Sequence, residues 1–494
     1  MTANWITGGL LVVLFTTAPV ARAATPIADS GAATSLPAYA GAAASRRPVL
    51  AKKPPNHPFM GRRGESNIHN DAWMSDAYWV RGPLGRAPET LSTSLGQRVC
   101  ITITFDRQGR LVASCTGTDG PRLYMLDPTT LDVLAEFGLP FQPPPPGQDP
   151  FTNSAGGAYF YLDNQDRAVV GTSTGHIVIV AETAPAPGFT TVADYDVTAA
   201  LAGDRITSVL PDWSGRLWFI GRYTGVVGVL DPATGITQAT TLGEEIENSF
   251  AVDRDGVYVV SDAAMYRLWA EPGQAPAVVW SSVYQNVGIK KPGQFNAGSG
   301  TTPTLMSGGY VAITDNADPM NVVVYRRATT LRPGQTRVVC EVPVFDAGAS
   351  ATENSLIAVG NSLIVENNYG YVITSTSNGA VTAPGVARVD VRPDGSGCDV
   401  IWTSNERAPS VIPKVSTKTG LLYLYTKDPD PVNTTSDAWF WTAVDFRTGQ
   451  TVWKRLAGTG INFNNHYAGI VVARRSHSAY LGVVGGIAAI RDTE

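Results

Sequence analysis

Short runs of alternating apolar and polar residues recur along most of the chain, separated by turns rich in Asp, Asn and Gly. The stretch Ile101–Asp127 shows the pattern: an apolar strand, the turn Asp106-Arg107-Gln108-Gly109, a second strand, and an aliphatic third strand ending in Asp. Alternation with a period of two predicts half-buried β-strands, which Val, Ile, Tyr and Trp favour. The pattern therefore predicts an all-β protein.

Eight copies of this strand unit can be counted along the chain. Their first strands begin near residues 101, 157, 206, 248, 301, 354, 409 and 467, at a mean spacing of about 52 residues. A period of about 40–50 residues with several short strands per copy is typical of β-propeller blades. We expect a single eight-bladed propeller over residues 89–494. Seven blades are the alternative, because the third and fourth copies lie close together.

The last copy is one strand short of a four-stranded sheet, because the chain ends soon after Ile487–Ile490. The segment Thr90–Leu95 precedes the first copy and is predicted to supply the missing strand. Closing the ring in this way removes a sheet edge that would otherwise be exposed.

Three turns resemble a known repeat. Residues 230–243 (LDPATGITQATTLG) and 444–460 (VDFRTGQTVWKRLAGTG) are similar to the Asp-x-x-Thr-Gly-x-x-x-Trp repeat of the quinoprotein alcohol dehydrogenase-like propellers, and 126–138 (LDPTTLDVLAEFG) is a weaker copy. The resemblance spans the propeller and implies its fold, with Asp and Gly in the turn and the aromatic residue between blades. Members that use pyrroloquinoline quinone carry adjacent cysteines beneath it. This chain has no Cys-Cys pair, so that cofactor is not expected.

The N-terminal region is predicted to direct secretion. An apolar stretch, Ile6–Val20, is followed by Ala21-Arg22-Ala23, so residues 1–23 resemble a signal peptide, with an uncleaved anchor as the alternative. No later segment has the roughly 18 apolar residues that span a bilayer. Residues 24–56, rich in Ala, Ser and Pro, are expected to form a flexible tether, and 57–88 a strap packed on the propeller. We expect a secreted or periplasmic protein.

Four cysteines fit an oxidising compartment. Cys100 and Cys115 flank the turn at 106–109, and a two-residue hairpin centred there places them directly opposite each other, so a disulfide is predicted. Cys340 and Cys398 remain to pair with each other, the alternative being two free, buried thiols.

Composition excludes some classes of function. The 494 residues carry a net charge of −5 and only 16% charged residues. There is no basic surplus to displace counterions from phosphates, so nucleic acid is not an expected partner. With 50 Gly and 34 Pro, the chain also has too many turn residues for a coiled coil or a helical solenoid.

Candidate chemistry lies just before the inner strands, where propeller ligands generally sit over the central channel. The triplets Glu247-Asn248-Ser249 and Glu353-Asn354-Ser355 are two repeat periods apart, and Lys414 and Asn465-His466-Tyr467 precede later blades. These residues are predicted to converge on one opening. The alternative is that each triplet is a repeated turn whose side chains cap neighbouring backbone groups.

Two chemistries fit these residue types. Oxygen ligands from Glu247 and Glu353 would suit Ca²⁺ or Mg²⁺. Alternatively, His466 would act as a general base, with Lys414 or an amide stabilising an oxyanion. Surface or channel lining is the structural alternative for His466.

The segment 65–80 is dense in Asn, Asp, His and aromatic residues. One interpretation folds it over a propeller face, where His69 joins the catalytic candidates and Asn70 and Asp71 join the ligand-binding ones. The other makes it a packing strap that buries Trp73, Tyr78 and Trp79.

Two functions remain open from the sequence. The first is a propeller that binds a small polar ligand or a protein partner at its channel face without catalysis. The second is a metal-assisted enzyme, a hydrolase, lyase or quinoprotein-like oxidoreductase, that acts on a small molecule over the channel.

Overall fold

A computed structural model describes residues 21–61, 65–143, 156–374 and 381–494. Within these ranges the strands form eight sheets, antiparallel except for one short parallel pair, arranged as an eight-bladed β-propeller, which confirms the predicted fold class. Helix in the same ranges is limited to α1 (Thr198–Leu201) and a 3-10 turn at Ile461–Phe463. The first twenty residues of the predicted signal peptide lie outside the described residues.

Three strands precede the first blade: β1 (Tyr39–Gly41), β2 (Ala77–Tyr78) and β3 (Pro88–Ser94). Blades one and two contain β4 (Val99–Phe105), β5 (Leu111–Gly117), β6 (Gly120–Leu126) and β7 (Val133–Gly138), then β8 (Phe160–Leu162), β9 (Ala168–Gly171), β10 (His176–Thr183) and β11 (Gly188–Asp196). Blades three and four contain β12 (Ile206–Pro211), β13 (Leu217–Gly221), β14 (Val226–Leu230) and β15 (Thr237–Thr241), then β16 (Ala251–Val252), β17 (Val257–Val260), β18 (Ala264–Trp269) and β19 (Ala277–Val283).

Blades five and six contain β20 (Thr304–Met306), β21 (Tyr310–Thr314), β22 (Asn321–Arg326) and β23 (Val338–Pro343), then β24 (Ile357–Val359), β25 (Ser362–Glu366), β26 (Val386–Val391) and β27 (Cys398–Ser404). Blade seven contains β28 (Lys414–Ser416), β29 (Leu421–Thr426), β30 (Ala438–Asp445) and β31 (Thr451–Thr459). Blade eight contains β32 (Val471–Val472), β33 (Ser478–Val483) and β34 (Gly486–Asp492).

The ring closes through the N-terminal strand β3, as predicted. It pairs antiparallel with β34 over seven residues, from Pro88 opposite Asp492 to Ser94 opposite Gly486. Blade eight therefore has four strands, three from the end of the chain and one from its beginning. The pairing covers the edge that β34 would otherwise expose.

Aspartates close the turns between the first and second strands of blades one to three. Asp106, Asp163 and Asp212 each accept the backbone N–H of the arginine four residues later and also bind its side chain. One carboxylate thus supplies both the turn hydrogen bond and the ion pair. The recurring Asp in the sequence reflects this turn.

The turns that resemble the quinoprotein repeat also form as expected for a propeller. Asp231 and Asp445 accept backbone N–H groups within their own turns, and Gly235 and Gly449 follow them with φ of 73° and 71°. Trp453 lies in the blade that carries the second of these turns, and its side chain is buried. These features belong to the propeller class, and membership of the quinoprotein group stays a resemblance.

Residues 24–56, expected as a flexible tether, instead pack on the propeller, first along an outer strand and then against the turn that follows the first strand of blade seven. β1 pairs with the outer strand β31, and Ser35 and Thr34 bind the carboxylate of Asp430. A segment poor in apolar residues cannot build its own core, but its backbone can complete the open edge of an existing sheet. The low apolar content of this segment therefore excludes a core of its own but not this strand pairing.

Both predicted disulfides are present. Cys100 and Cys115 are cross-strand partners in β4 and β5, and their sulfurs are bonded. Cys340 and Cys398 join the outer strand β23 of blade five to the outer strand β27 of blade six. No helix in the described part of the chain is long and apolar enough to cross a membrane.

Candidate functional site

Residues 65–80, here called the channel segment, run through the middle of the ring. β2 within it lies parallel to β28, the first strand of blade seven. Its backbone carbonyls accept hydrogen bonds from the first strands of five blades, through the N–H groups of Leu162, Val252, Leu305, Ala358, Val415 and Thr417. Those strands would otherwise present unpaired N–H groups to the axis. The segment therefore places its own polar side chains inside the channel.

A tight, buried turn shapes the channel segment. Asp71 accepts hydrogen bonds from the N–H of Trp73 at 2.9 Å and the hydroxyl of Ser75 at 2.6 Å. Burial raises the pKa of Asp71 to about 6, against the opposing effect of these bonds. Asn70 and Asp76 adopt φ of 77° and 53°, backbone angles in which Asn and Asp are tolerated better than most residues. The turn holds His69 and Asp76 side by side.

Four buried polar side chains meet beneath this turn. The Nδ1 atom of His69 lies 3.2 Å from Oδ2 of Asp76 and 2.8 Å from Oγ of Ser355. The hydroxyl of Ser355 donates to Asp76 at 2.5 Å. Lys414 forms an ion pair with Asp76 and donates to the carbonyl of Ile68 at 2.6 Å. Blades six and seven are thereby joined to the channel segment through one carboxylate.

The charges in this cluster determine which atoms carry protons. Burial would raise the pKa of Asp76, but Lys414 and His69 beside it hold that pKa below its usual value, so the carboxylate is ionised. Burial lowers the pKa of His69, although the Asp76 carboxylate beside it opposes this shift. The imidazole is therefore neutral at pH 7, and the proton on Nδ1 is the one that Asp76 accepts.

A cavity of about 30 Å³ lies against this cluster, at the end of the channel where the first strands of the blades begin. Its size corresponds to about two water molecules. Four lining residues are predicted site residues from the loops before the blades: Asn248, Glu353, His466 and Tyr467. His69 comes from the channel segment. The others are mostly apolar or aromatic: Ile101, Tyr159, Phe295, Thr302, Ser355 and Ile412.

Three lining residues each have a buried polar atom with no hydrogen-bond partner among the described residues. These atoms are Nε2 of His69, Nδ2 of Asn248 and Oε2 of Glu353. The other polar atom of each side chain is occupied: Tyr159 donates to Oδ1 of Asn248 at 3.0 Å, and the N–H of Phe295 donates to Oε1 of Glu353 at 3.0 Å. Buried polar atoms in folded proteins are nearly always paired, so three around one cavity are unusual.

The two predicted carboxylates are close enough to influence each other. Burial raises the pKa of Glu353 well above its usual value, and the neighbouring charge of Glu247 adds to this rise. Burial likewise raises the pKa of Glu247 to about 7, although Arg222 opposes it from 3.1 Å. Burial and mutual repulsion thus both favour the protonated form of Glu353, whereas Glu247 contacts a guanidinium.

Aromatic rings pack against one another beside the cavity. Tyr467 packs against Phe295 and Tyr371 with ring centroids 4.8 and 5.3 Å apart, and its hydroxyl donates to the carbonyl of Gly293 at 2.6 Å. His466 lies among the same rings, with Nδ1 3.2 Å from the hydroxyl of Tyr371. These contacts bring together the loops before blades five and eight and the loop that follows β25.

Other predicted site residues lie near the cavity without lining it. Lys414 is held by Asp76, and Glu247 by Arg222. Asn354 binds Glu366 and the carbonyl of Val411, whereas Asn465 binds the carbonyl of Gly482 at 2.9 Å. Asn70 and Asp71 make bonds within the channel segment. The two Glu-Asn-Ser triplets occupy equivalent places before β16 and β24, yet only the first contributes its Asn to the cavity.

Sequence reasoning did not single out several residues that matter here. Asp76 is the partner of Lys414, although 338 positions separate them. Tyr159, at the start of the second strand copy, and Phe295, in the loop before blade five, also line the cavity. Of these residues, only Ser355 belongs to a motif that the sequence analysis identified, because it completes the second Glu-Asn-Ser triplet.

No group of three or more His, Cys, Asp or Glu side chains in the described ranges is arranged to hold a metal ion. The predicted ligands Glu247 and Glu353 are adjacent, but Arg222 already neutralises the first of them. The Ca²⁺ or Mg²⁺ site therefore stays a prediction.

No protein-family profile matches this chain. An uncharacterized protein of Archaeoglobus fulgidus is 28% identical over 328 residues, which are 60% of this chain and 62% of that protein. The chain thus matches less than two thirds of the length of this relative.

Two solved structures resemble the fold loosely. A functionally unknown protein from Desulfotomaculum acetoxidans has a TM-score of 0.42 at 9% identity, covering 72% of this chain and 96% of its own. Virginiamycin B lyase from Staphylococcus aureus has a TM-score of 0.40 at 11% identity, covering 69% of this chain and 96% of its own. Likeness at this level says nothing about what this chain binds.

Proposed function

We propose that this protein is a secreted or periplasmic propeller that binds a small polar molecule in the channel cavity. The observation that supports it most directly is the group of unpartnered atoms on His69, Asn248 and Glu353. They come from three separate elements, and a molecule with oxygen atoms at both ends would satisfy all three. Leaving such atoms unbonded costs about 1–3 kcal/mol each, which favours an occupied site.

The walls of the cavity also favour a small ligand. Phe295, Tyr467 and Ile412 supply apolar surface, and a few convergent polar groups supply orientation, which is the usual composition of a small-molecule site. The two disulfides are compatible with the oxidising compartment that the proposal requires. A protein partner at the rim and metal-assisted catalysis remain the alternatives from the sequence.

The test uses three probes of two or three heavy atoms, which match the size of the cavity: formate, formamide and methanol, which present a carboxylate, an amide and a hydroxyl. We expect at least one to raise the thermal unfolding temperature and to give saturation-transfer NMR signals with the wild type, because a ligand that binds only the folded state stabilises it. The variant Asn248→Leu replaces the amide donor with an apolar side chain of similar size and should weaken binding at least tenfold. The exposed Asn361→Leu serves as its control.

Failure of all three probes to bind would contradict the proposal. Metal analysis of the purified protein addresses the metal-assisted alternative separately: bound Ca²⁺ or Mg²⁺ whose removal lowers the unfolding temperature would favour it.

A further inference from the structure

We infer that a second cavity, at the opposite end of the ring from the channel cavity, binds a small organic anion that carries a carboxylate or a phosphate on an apolar body. This cavity, here called the arginine cavity, has a volume of about 470 Å³. Small-molecule sites usually measure about 300–1,000 Å³, so it has room for an organic molecule with a ring. The inference is independent of the proposed function, because it concerns a different cavity.

The arginine cavity lies where blade eight meets blades one and two. Its walls come from the turns that follow the first strands of these three blades, from the turn between β6 and β7, and from the end of β34. The channel cavity lies where the first strands begin, whereas these turns lie where the first strands end. The two cavities therefore occupy opposite ends of the ring.

Contacts between blades hold these walls in place. The hydroxyl of Tyr480 in blade eight donates to the carbonyl of Pro128 in blade one at 2.7 Å. The ring of Tyr480 also meets that of Phe105 edge-on, with centroids 5.8 Å apart. Arg107 reaches from blade one to blade two, where its Nε atom lies 3.3 Å from Oδ2 of Asp166. The cavity is thus formed by the closed ring and not by a single loop.

Positive charge is in excess around this cavity. Its charged lining residues are the four arginines Arg107, Arg474, Arg475 and Arg491 and the three carboxylates Glu65, Asp106 and Asp166. Asp106 is already paired with Arg110, which does not line the cavity. The chain as a whole carries a net charge of −5, so this local excess of arginines runs against its composition. A cleft with surplus positive charge attracts anions.

Two of the arginines can offer their guanidinium groups to a ligand, whereas the other two are paired with lining carboxylates. Arg475 is exposed, and its side chain forms no ion pair with any described residue. Arg491 donates to the carbonyl of Thr129 at 3.2 Å, which holds it at the cavity, and to the exposed carboxylate of Glu89 at 3.3 Å. An exposed ion pair contributes little, so a ligand can replace Glu89. Guanidinium groups bind carboxylate and phosphate oxygens in a bidentate arrangement, which makes these the expected charged groups of the ligand.

The cavity also has an apolar part, which predicts the rest of the ligand. Phe105, Pro128, Ala473 and Tyr480 line it together with the charged groups. An inorganic anion would leave this surface in contact with water, whereas a ring or a short hydrocarbon would cover it. Because burial of apolar surface favours binding, an organic anion should bind more tightly than inorganic phosphate.

The experiment titrates the purified protein with benzoate and with phenyl phosphate by calorimetry at low ionic strength. We expect at least one of them to bind with a Kd of about 1 mM or less. Inorganic phosphate, which lacks the ring, should bind about fivefold more weakly or less tightly still. Benzyl alcohol, which has the ring without the charge, should bind at least about tenfold more weakly. The comparison of benzoate with phenyl phosphate shows which charged group the arginines prefer.

Substitutions locate the binding site. Arg475→Gln and Arg491→Gln should each weaken binding of the organic anion about tenfold, because each removes a charged hydrogen-bond donor. Arg332→Gln is the matched control, since Arg332 is exposed in the turn between β22 and β23 of blade five and does not line the cavity. This variant should keep the wild-type Kd. Thermal unfolding checks that all three variants are folded, and added NaCl should weaken binding to the wild type.

Three results would overturn the inference. The first is no binding of either benzoate or phenyl phosphate. The second is binding of benzyl alcohol or inorganic phosphate as tight as that of the organic anions. The third is a loss of affinity in Arg475→Gln and Arg491→Gln no larger than in Arg332→Gln.

The probes also separate this inference from the proposed function. Formamide is neutral, so it tests the channel cavity without pairing with the arginines. Binding of formamide with no binding of benzoate or phenyl phosphate would overturn the arginine cavity and support the proposed function. Binding of an organic anion that depends on Arg475 and Arg491, with no binding of formate, formamide or methanol in the channel cavity, would support the arginine cavity and contradict the proposed function.

Discussion

Lys414 is a fully buried ammonium group, and its position depends on a carboxylate from a distant part of the chain. Asp76 and the carbonyl of Ile68 are its hydrogen-bond partners. Burial lowers the pKa of Lys414, an effect that Asp76 opposes. Removing one member of a buried pair leaves an unpaired charge, which is far more costly than losing an exposed ion pair.

We therefore expect Asp76→Asn to lower the free energy of unfolding by about 3–5 kcal/mol, because the Lys414 ammonium stays buried without its counter-ion. Adding Lys414→Met should recover part of this loss, since it removes the unpaired charge. Urea denaturation measures both. Arg392→Met, which breaks an exposed pair with Asp399, is the control and should change little. A loss in Asp76→Asn as small as that of the control would contradict the assigned pairing.

Glu366 makes the stability depend on pH. Burial raises its pKa from 4.5 to about 8, so the folded protein holds a proton that the unfolded chain has already released. Between these values stability falls as pH rises, by up to about 1.4 kcal/mol per pH unit. Glu366→Gln removes this slope, so its stability relative to the wild type should increase from pH 5 to pH 8. Parallel stability curves for the two proteins would show that Glu366 titrates normally.

At the level of single elements, the first hairpin contains the predicted disulfide, although its turn is longer than predicted. The sequence predicts that Cys100 lies opposite Cys115 across a two-residue turn. In the structure Phe105 pairs with Leu111, so the turn is longer, and a β-bulge between Cys100 and Thr102 restores the cysteine pairing. Bulges follow from packing on neighbouring strands, and the sequence pattern alone does not locate them.

Both disulfides should stabilise the folded protein, and the one that closes the longer loop should contribute more. Their sequence separations are 15 and 58 residues, which correspond to losses of about 3 and about 4 kcal/mol on removal. Denaturation of Cys100→Ala/Cys115→Ala and Cys340→Ala/Cys398→Ala measures them. Equal stability with and without a reducing agent would contradict this prediction.

The channel segment is the element that the sequence predicts least well. Its density of polar residues identifies it as special, but not as threaded through the ring. Its position depends on backbone bonds from Val252, Leu305 and Val415, whose order in space follows only from the complete ring. Strand repeats, in contrast, are local, and so the eight blades and the closing strand β3 were predictable.

At the scale of the whole molecule, ring closure depends on how closely blade eight approaches blade one. A Cβ atom added to Gly482 in β33 would lie within 3.0 Å of the Cβ of Cys100 and closer still to its backbone carbonyl. Backbone atoms at this seam cannot move without disturbing both blades. The candidate site shares the constraint, because the carbonyl of Gly482 accepts a bond from Asn465, the neighbour of His466.

Gly482→Ala should therefore destabilise the protein by at least about 2 kcal/mol through overpacking. Gly138, at the end of β7, provides the matched control, because an added Cβ meets no atom within 4 Å. Gly138→Ala should be neutral or slightly stabilising. Thermal unfolding compares the two, and similar unfolding temperatures would contradict the tight seam.

The most direct test is a crystal structure of the protein soaked in formate, at a resolution that shows ordered water. A bound molecule is expected within hydrogen-bond distance of Nε2 of His69, Nδ2 of Asn248 and Oε2 of Glu353. A structure in which those three atoms form hydrogen bonds with other protein side chains, and the cavity holds no molecule, would contradict the proposed ligand site.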